Sequence, residues 1–433
     1  MGLTDRQAAD ARASKAVGEI NGTKLRAANP RTAPPVLTFN AQSSMGSRAA
    51  ALVVLLGAAT VCAQPASSDE HRKVELVTMG IGSLIWERHG HIAMCVTQNG
   101  LRSSLEHDEP GDRCYNYGMA DFSHPIEMAW GFVRGTHSFW VGKDLTWMVH
   151  HYRAADRTVW VQELPLDAAQ KTEVIAKLED DVLDEHRFYA YDHFNDNCTT
   201  RIRDIIDNAT DHALSKMTDT TGERSFRDYA RDGFYGMRIP LLVTDIVAGR
   251  SIDRVPTYWD RMFLPQYLRE AVQTKWGITP YKVYERKECR GNEDPSCVAR
   301  GIPTVANPSS GRWLFAFVIV VLTAPVWLTR LAGRLQRTGL AISILPYWLI
   351  GTLLTALAML SPLPYFHLNG ATLVWFPIDI AILFLSPARK VTYAKVRVAM
   401  LALIALAMLI GVLQQPLWAP LLWPLIPMAT VAL

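Results

Sequence analysis

Cys198 stands where a polar turn gives way to a helix, within the stretch YAYDHFNDNCTTRIRDIID from Tyr189 to Asp207. A thiol at a helix N-terminus meets the positive end of the macrodipole and unpaired backbone N–H groups, both of which favour thiolate over thiol. Behind it Ile202, Ile205, Ile206 and Ala209 recur at helical spacing, giving the helix a buried face, and Asn197 or Asp196 supplies its cap. A nucleophile needs a base. WERHGHIAMCV offers His89 and His91 on a predicted strand, where alternation puts both on one face with Ala93 and Cys95, and either could approach Cys198. An imidazole beside a thiol takes its proton and prepares it for acyl transfer. Glu106, His107, Asp108 or Asn116 on the following segment would orient the ring. The competing reading makes Cys198 a buried structural thiol and His91 a satisfied core histidine.

Composition sets the compartment. The 433 residues carry 44 Lys and Arg against 41 Asp and Glu, a net charge of +3, which argues against a nucleic-acid binder. The charge is unevenly placed: residues 71–300 are rich in Arg, Asp, Glu and His, whereas 313–433 are almost wholly apolar. A soluble domain followed by a membrane domain is the expectation. Met45 to Gln64, MGSRAAALVVLLGAATVCAQ, reads as a signal peptide over 45–63, with Arg48 in its n-region, an apolar run to Val61, and cleavage after Ala63. Cys62 would suit a lipoprotein signal, but Val61 is bulkier than such a site usually accepts. Residues 1–44 are a polar extension without periodicity, and Met45 is an alternative start.

Apolar runs at 313–329, 339–360, 364–386, 398–413 and 417–433 approach the ~20 residues that cross a bilayer. Two loops are basic, one with Arg330, Arg334 and Arg337, the other with Arg389, Lys390, Lys395 and Arg397; the alternate loops carry no formal charge. Basic loops in the cytoplasm put residues 64–312 on the other side, as the signal peptide does. Pro416, Pro420, Pro424 and Pro427 make the fifth segment irregular, so four or five spans are expected. Asp379 is the only acidic residue after Asp294 and lies inside the third span. It is either a relay or an acid paired within the bundle, and no basic partner is visible in the other spans.

After the signal five cysteines remain, an odd number in an oxidising compartment. Cys289 and Cys297 flank a short loop and would bridge each other; Cys95 and Cys114, on successive predicted strands, are either cross-strand partners or both reduced. Pairing both sets leaves Cys198 free. Strands are expected at 74–85, 91–97, around CYNYG and in RTVWVQELPL, and Asp167 caps a helix whose Val174, Ile175, Leu178 and Val182 face inward. His150 and His151 read as a turn. MFLPQYLREAV is an amphipathic helix that packs on the domain or lies on the membrane, core packing being preferred. The fold class is α+β over 71–287, then a 288–312 tether and an all-α transmembrane bundle of 4–5 helices over 313–433.

GHIAM, CYNYGMADF, the RTVWVQELPL strand with its helix, YAYDHFNDNCTTRIRD and SIDRVPTYWDRMFLP occur in that order between about 74 and 270. Together they resemble the Lnb N-terminal periplasmic domain family, with Asp196 replacing the first Asn of the usual pair and His193 replacing an apolar residue. That family is distantly similar to permuted papain-like enzymes of the NlpC and lecithin:retinol acyltransferase type, in which a strand-borne His precedes a helix-borne Cys. The resemblance implies a permuted papain-like periplasmic domain with His91 as base and Cys198 as nucleophile. Asn116 would orient the ring, and the Cys198 N–H with Asn197 or Asn195 would hold the oxyanion. Arg201 and Arg203 would lower the thiol pKa or lie solvated. No cofactor is called for, and zinc at His89, His91, His107, Cys95 and Cys114 is disfavoured because no tight C-x-x-C or H-x-x-x-H spacing occurs. The expectation is a bacterial inner-membrane thiol hydrolase or acyltransferase acting in the periplasm on envelope lipid, peptidoglycan or lipoprotein. The alternative is a non-catalytic accessory protein that assists an exported partner.

Overall fold

The structure, a computed structural model, describes residues 71–106, 109–220, 222–234, 237–287 and 312–433. The 1–44 extension, the 45–63 signal with Cys62, His107, Asp108, the Cys289–Cys297 pairing and the tether up to 311 lie outside the described residues.

Seven strands form one antiparallel sheet: β1 (Lys73–Met79), β2 (His91–Thr97), β3 (Arg113–Met119), β4 (Phe139–Asp144), β5 (Val159–Glu163), β6 (Phe188–Tyr189) and β7 (Tyr281–Tyr284), in the order β6-β4-β3-β2-β1-β5-β7. The strand expected over 74–85 stops at Met79, because Gly80 turns away with its N–H on Thr158 O at 2.8 Å and Ile85–Glu87 folds as a 3-10 turn. Between and after the strands come α1 (Pro125–Val133), α2 (Met148–Ala154), α3 (Ala168–Asp181), α4 (Cys198–Ala209), α5 (Phe226–Gly233), α6 (Arg238–Val247) and α7 (Pro265–Trp276). The expected turn at His150 and His151 is thus helical, with both imidazoles exposed.

Strand alternation sorts the core. Leu76, Ile92, Met94 and Tyr117 meet Leu178 of α3, Ile202 and Ile206 of α4, and Leu268 and Val272 of α7. On the other face Val77, Ala93, Cys95, Cys114 and Val161 meet Met148 and Val149 of α2. The capping box at Asp167 and Gln170 starts α3 as its sequence requires. Cys95 and Cys114 are directly opposed on β2 and β3 and joined by a disulfide.

The membrane part contributes α8 (Arg312–Leu331), α9 (Gln336–Leu360), α10 (Pro387–Leu409) and α11 (Trp418–Ala432). Among the described residues, four segments are long and apolar enough to cross a bilayer, namely Trp313–Leu331, Gln336–Leu360, Pro364–Leu383 and Pro387–Leu409, with Trp418–Ala432 shorter. The third is not a continuous helix. It is broken into turns at Pro364–Phe366, Ala371–Val374 and Pro377–Leu383. The break exposes carbonyls, and Arg397 uses them: its guanidinium donates to Val374 O at 3.1 Å and to both Asp379 carboxylate oxygens at 2.6 and 2.9 Å. Tyr393 and Tyr347 donate to the same carboxylate at 2.8 and 3.3 Å. Asp379 therefore has a basic partner after all. Arg397 counts with the cytoplasmic loop by sequence but lies nearly three helical turns inside α10, fully buried. Non-helical backbone at membrane depth is viable where the protein satisfies it in this way.

Ser67–Leu433 form one compact unit, and a polar seam joins its two parts. Asn369 donates to Ile246 O and Val247 O at the end of α6, both at 2.9 Å, and Gln415 donates to Asp245 O and Asn369 Oδ1, also at 2.9 Å. Asp245 is in turn ion-paired with Arg231 of α5, both buried. Ser361 Oγ at the end of α9 donates to Val133 O of α1 at 2.5 Å.

Replacing one member of the intramembrane pair strands the other charge. Asp379→Leu should destabilise the purified protein by about 3 kcal/mol, and adding Arg397→Met should recover most of that loss, as read by thermal unfolding in nanodiscs.

Candidate functional site

The turn before α4 is built by its own side chains. Asp192 Oδ1 accepts from the N–H groups of Phe194 and Asn195, and Asp192 and Asp196 bridge through their backbones. Asn197, rather than Asp196, is the cap: its Oδ1 accepts from Thr199 N and Thr200 N at 2.7 and 3.0 Å. Its Nδ2 donates to His193 O and Phe263 O at 2.6 and 2.9 Å. Both amide hydrogens are thus engaged, and the side chain holds the turn and the α7 approach instead of facing an oxyanion. Asn195 is exposed and donates to Asp192.

Cys198 follows at the first position of α4. The β2–β3 ladder ends with Ala93 opposite Asn116, and the next residue out on β2 is Ile92, whose N–H faces the Cys198 sulfur. The N–H of Thr199 faces it too, with Thr199 Oγ1 at 3.8 Å. At the irregularity of β3 between Asn116 and Met119, Gly118 takes a φ of +79°, which a side chain rarely adopts, and a Cβ there would crowd the Tyr191 ring at 3.2 Å while only touching Cys198 Cβ at 3.6 Å. Tyr152, Tyr189 and Tyr191 lie close to the thiol. Cys198 is 8 % exposed and is the free cysteine among the described residues.

His91 opens β2 and shares the sheet face of Ala93 and Cys95, opposite the face that Ile92 turns to α4. Its Nε2 lies 3.3 Å from Asn116 Oδ1, while Asn116 Nδ2 donates to Asp144 Oδ2 at 2.8 Å. That second bond fixes the amide so that its oxygen accepts from the ring, which assigns Nε2–H and leaves the Nδ1 lone pair as the basic site. Tyr152 stacks on the imidazole at 6.2 Å between centroids. Among the described residues, no hydrogen bond joins Cys198 to His91. Of the proposed orienting groups the structure places Asn116 on the ring and leaves Glu106 exposed. His89 goes elsewhere, with Nε2 3.0 Å from Ala230 O and its ring edge-on to His193 and Phe234.

Electrostatics give a neutral resting pair. Burial pushes the Cys198 thiol up, and the helix-end N–H groups and Thr199 offset this only in part, so the expected thiolate does not form here. Burial, with the Arg157 charge behind it, lowers His91 to about 4. Arg201 and Arg203 do not act on the thiol: Arg201 is bidentate to Asp196 at 2.6 and 2.9 Å and lies over Tyr189, and Arg203 pairs with Asp204 and lies over Trp259. Cys95 and Cys114 are bonded to each other, and no cluster of three or more His, Cys, Asp or Glu that could hold a metal ion occurs among the described residues.

Residues 64–227 match the Lnb N-terminal periplasmic domain family. The matched stretch runs from before β1 into α5 and contains His91, Asn116, Asn197 and Cys198; it ends before SIDRVPTYWDRMFLP. No curated protein and no solved structure matches the chain. A match to that periplasmic-domain family, followed by four segments apolar enough to cross a bilayer among the described residues, fits a membrane protein with an N-terminal periplasmic domain. Gly118, Asp144 and Tyr152 complete the candidate site but carry no local motif; only the glycine in CYNYGM hinted at a backbone irregularity.

Three partly buried imidazoles held in the neutral form make the domain acid-sensitive. Burial holds His89 and His91 at about 4 and His193 at about 3, against about 6.5 in the unfolded chain. Between those values the unfolded chain binds more protons, so stability is complete above about pH 6.5 and falls as pH drops towards 4. The melting temperature should decline over that window, and His193→Phe, in a pocket of Phe194 and Phe263, should flatten the decline.

Proposed function

We propose that this is a thiol-dependent hydrolase or acyltransferase of the bacterial inner membrane, acting in the periplasm on an amide or ester of envelope lipid, peptidoglycan or lipoprotein. The observation that carries the reading is the hydrogen-bonded series His91–Asn116–Asp144 on the strands that meet the N-terminus of α4, where the Ile92 N–H is aimed at Cys198. An oriented neutral imidazole with a free Nδ1, and a thiol among backbone N–H donors, are the parts an acyl transfer needs.

In the reaction His91 Nδ1 takes the Cys198 proton as the sulfur attacks the carbonyl carbon. The backbone N–H of Cys198 holds the resulting oxyanion. The tetrahedral centre collapses, the C–N or C–O bond breaks, and the imidazolium gives its proton to the departing amine or alcohol. Water, or an acceptor amine or alcohol, then attacks the thioester with His91 again as base, restoring the thiol. Substrate binding brings the Nδ1 lone pair and the sulfur within hydrogen-bond reach.

A second reading, a non-catalytic accessory protein, is favoured by the burial of Cys198 and by the missing Cys198–His91 bond. One comparison separates them. An electrophilic acyl probe should label Cys198 of the folded full-length protein, turnover of an activated ester should vanish in Cys198→Ala, fall roughly 100-fold or more in His91→Ala, and fall about 10-fold in Asn116→Ala. Labelling that occurs only after denaturation supports the accessory reading instead.

A further inference from the structure

Two short helices attached to the periplasmic end of the membrane part keep apolar stripes in the open. On α1, Met128 and Phe132 pack on the sheet core, while Ile126 and Trp130, four residues apart, are 84 % and 62 % exposed on the opposite side. On α6, Leu242 and Ile246 pack on the membrane bundle, and the adjoining Ile239 and Val243 are 71 % and 49 % exposed. A soluble domain has no reason to expose such stripes to water beside a bilayer.

Their height relative to the membrane is fixed by contacts already described. The end of α1 is tied through Val133 O to Ser361, the residue after α9, and the end of α6 is tied through Ile246 and Val247 to Asn369. Around Ser361 the α9 residues Met359 and Leu360 are themselves exposed and apolar, so the lipid surface reaches this level. Arg134 stacks on Trp130 and Arg238 opens α6, both suited to phosphate headgroups, and tryptophan favours the interface.

The apolar stripe continues to the site. Four residues before Ile126, Phe122 stacks on Trp86 at 5.1 Å. Trp86 lies with exposed Leu84 and Ile85 in the loop that leads straight into His91, a loop held by Arg157 through Gly80 O and Glu87.

We propose that the rim Leu84–Trp86, Phe122, Ile126 and Trp130, with Ile239 and Val243 of α6, is seated in the headgroup and acyl boundary of the periplasmic leaflet, so that the Cys198 site takes acyl groups carried by a membrane-resident lipid or lipidated substrate. The partner surface is the bilayer itself. The substrate class rests on the function proposed above; the seating does not.

The test uses the full chain carrying 5-fluorotryptophan in phosphatidylethanolamine and phosphatidylglycerol nanodiscs. The Trp130 and Trp86 fluorine signals, assigned by their loss in Trp130→Phe and Trp86→Phe, should broaden with a nitroxide-bearing lipid and resist a water-soluble gadolinium chelate. Trp160, stacked under Arg269 in the sheet, is the control that a lipid nitroxide should leave unchanged. Trp130 and Trp86 signals that broaden with the chelate and not with the lipid nitroxide overturn the seating. For the substrate class, Trp130→Glu should lower turnover of a long-chain ester embedded in the nanodisc at least tenfold and leave a short soluble ester within twofold. Equal effects on both, or none, overturn the lipid assignment. Absence of turnover of either ester in the wild type defeats the catalytic reading and the substrate class with it, while the fluorine signals still decide the seating.

Discussion

One carboxamide holds the site together. Asn197 accepts from two N–H groups at the start of α4 and donates to two carbonyls, one in the preceding turn and one at Phe263. These bonds define where the helix begins, and therefore where Cys198 stands. They also tie the helix start to the chain that leads into α7, whose Leu268 and Val272 complete the same core. Gly118 supplies the complementary condition by removing bulk on the strand side. The thiol is thus fixed between a rigid cap and a cleared strand edge, while the imidazole is fixed separately by Asn116. The thiol and the imidazole are each positioned by the fold itself.

The seam between the soluble and membrane parts is of a different character. It relies on Asn369, Gln415, Ser361 and the buried Arg231–Asp245 pair, each satisfying carbonyls or charges at helix ends that would otherwise be left without water. Such polar, directional contacts set the orientation of the domain over the bundle more strictly than apolar packing alone, because a small rotation would break several bonds at once. The tether is therefore not what determines how the domain stands on the membrane.

Much of this was legible in the residues, for identifiable reasons. The α+β class, the α3 cap at Asp167, the α4 helix and the cross-strand approach of Cys95 and Cys114 follow from local periodicity and local chemistry, which act over a few residues. What was not legible depends on groups far apart in sequence. The helix end alone favours a thiolate, but three tyrosines and the sheet bury Cys198 and reverse the sign. Arg397 reads as a loop charge by composition, and only the break in the preceding segment gives it a carboxylate and carbonyls to meet. Asn197 fits a cap or an oxyanion donor equally well as a residue type; the carbonyl of Phe263, 66 residues away, decides between them.

The Asp379–Arg397 pair carries a consequence for biogenesis. A lone aspartate at the centre of a span disfavours insertion by about 3 kcal/mol, and a lone arginine by a similar amount. Each of the two neighbouring segments therefore bears a charge that the lipid rejects, and each charge is neutralised by the other. The third segment leaves the ribosome before its partner has been made. Entry of the two segments together as a hairpin neutralises each charge before lipid meets it.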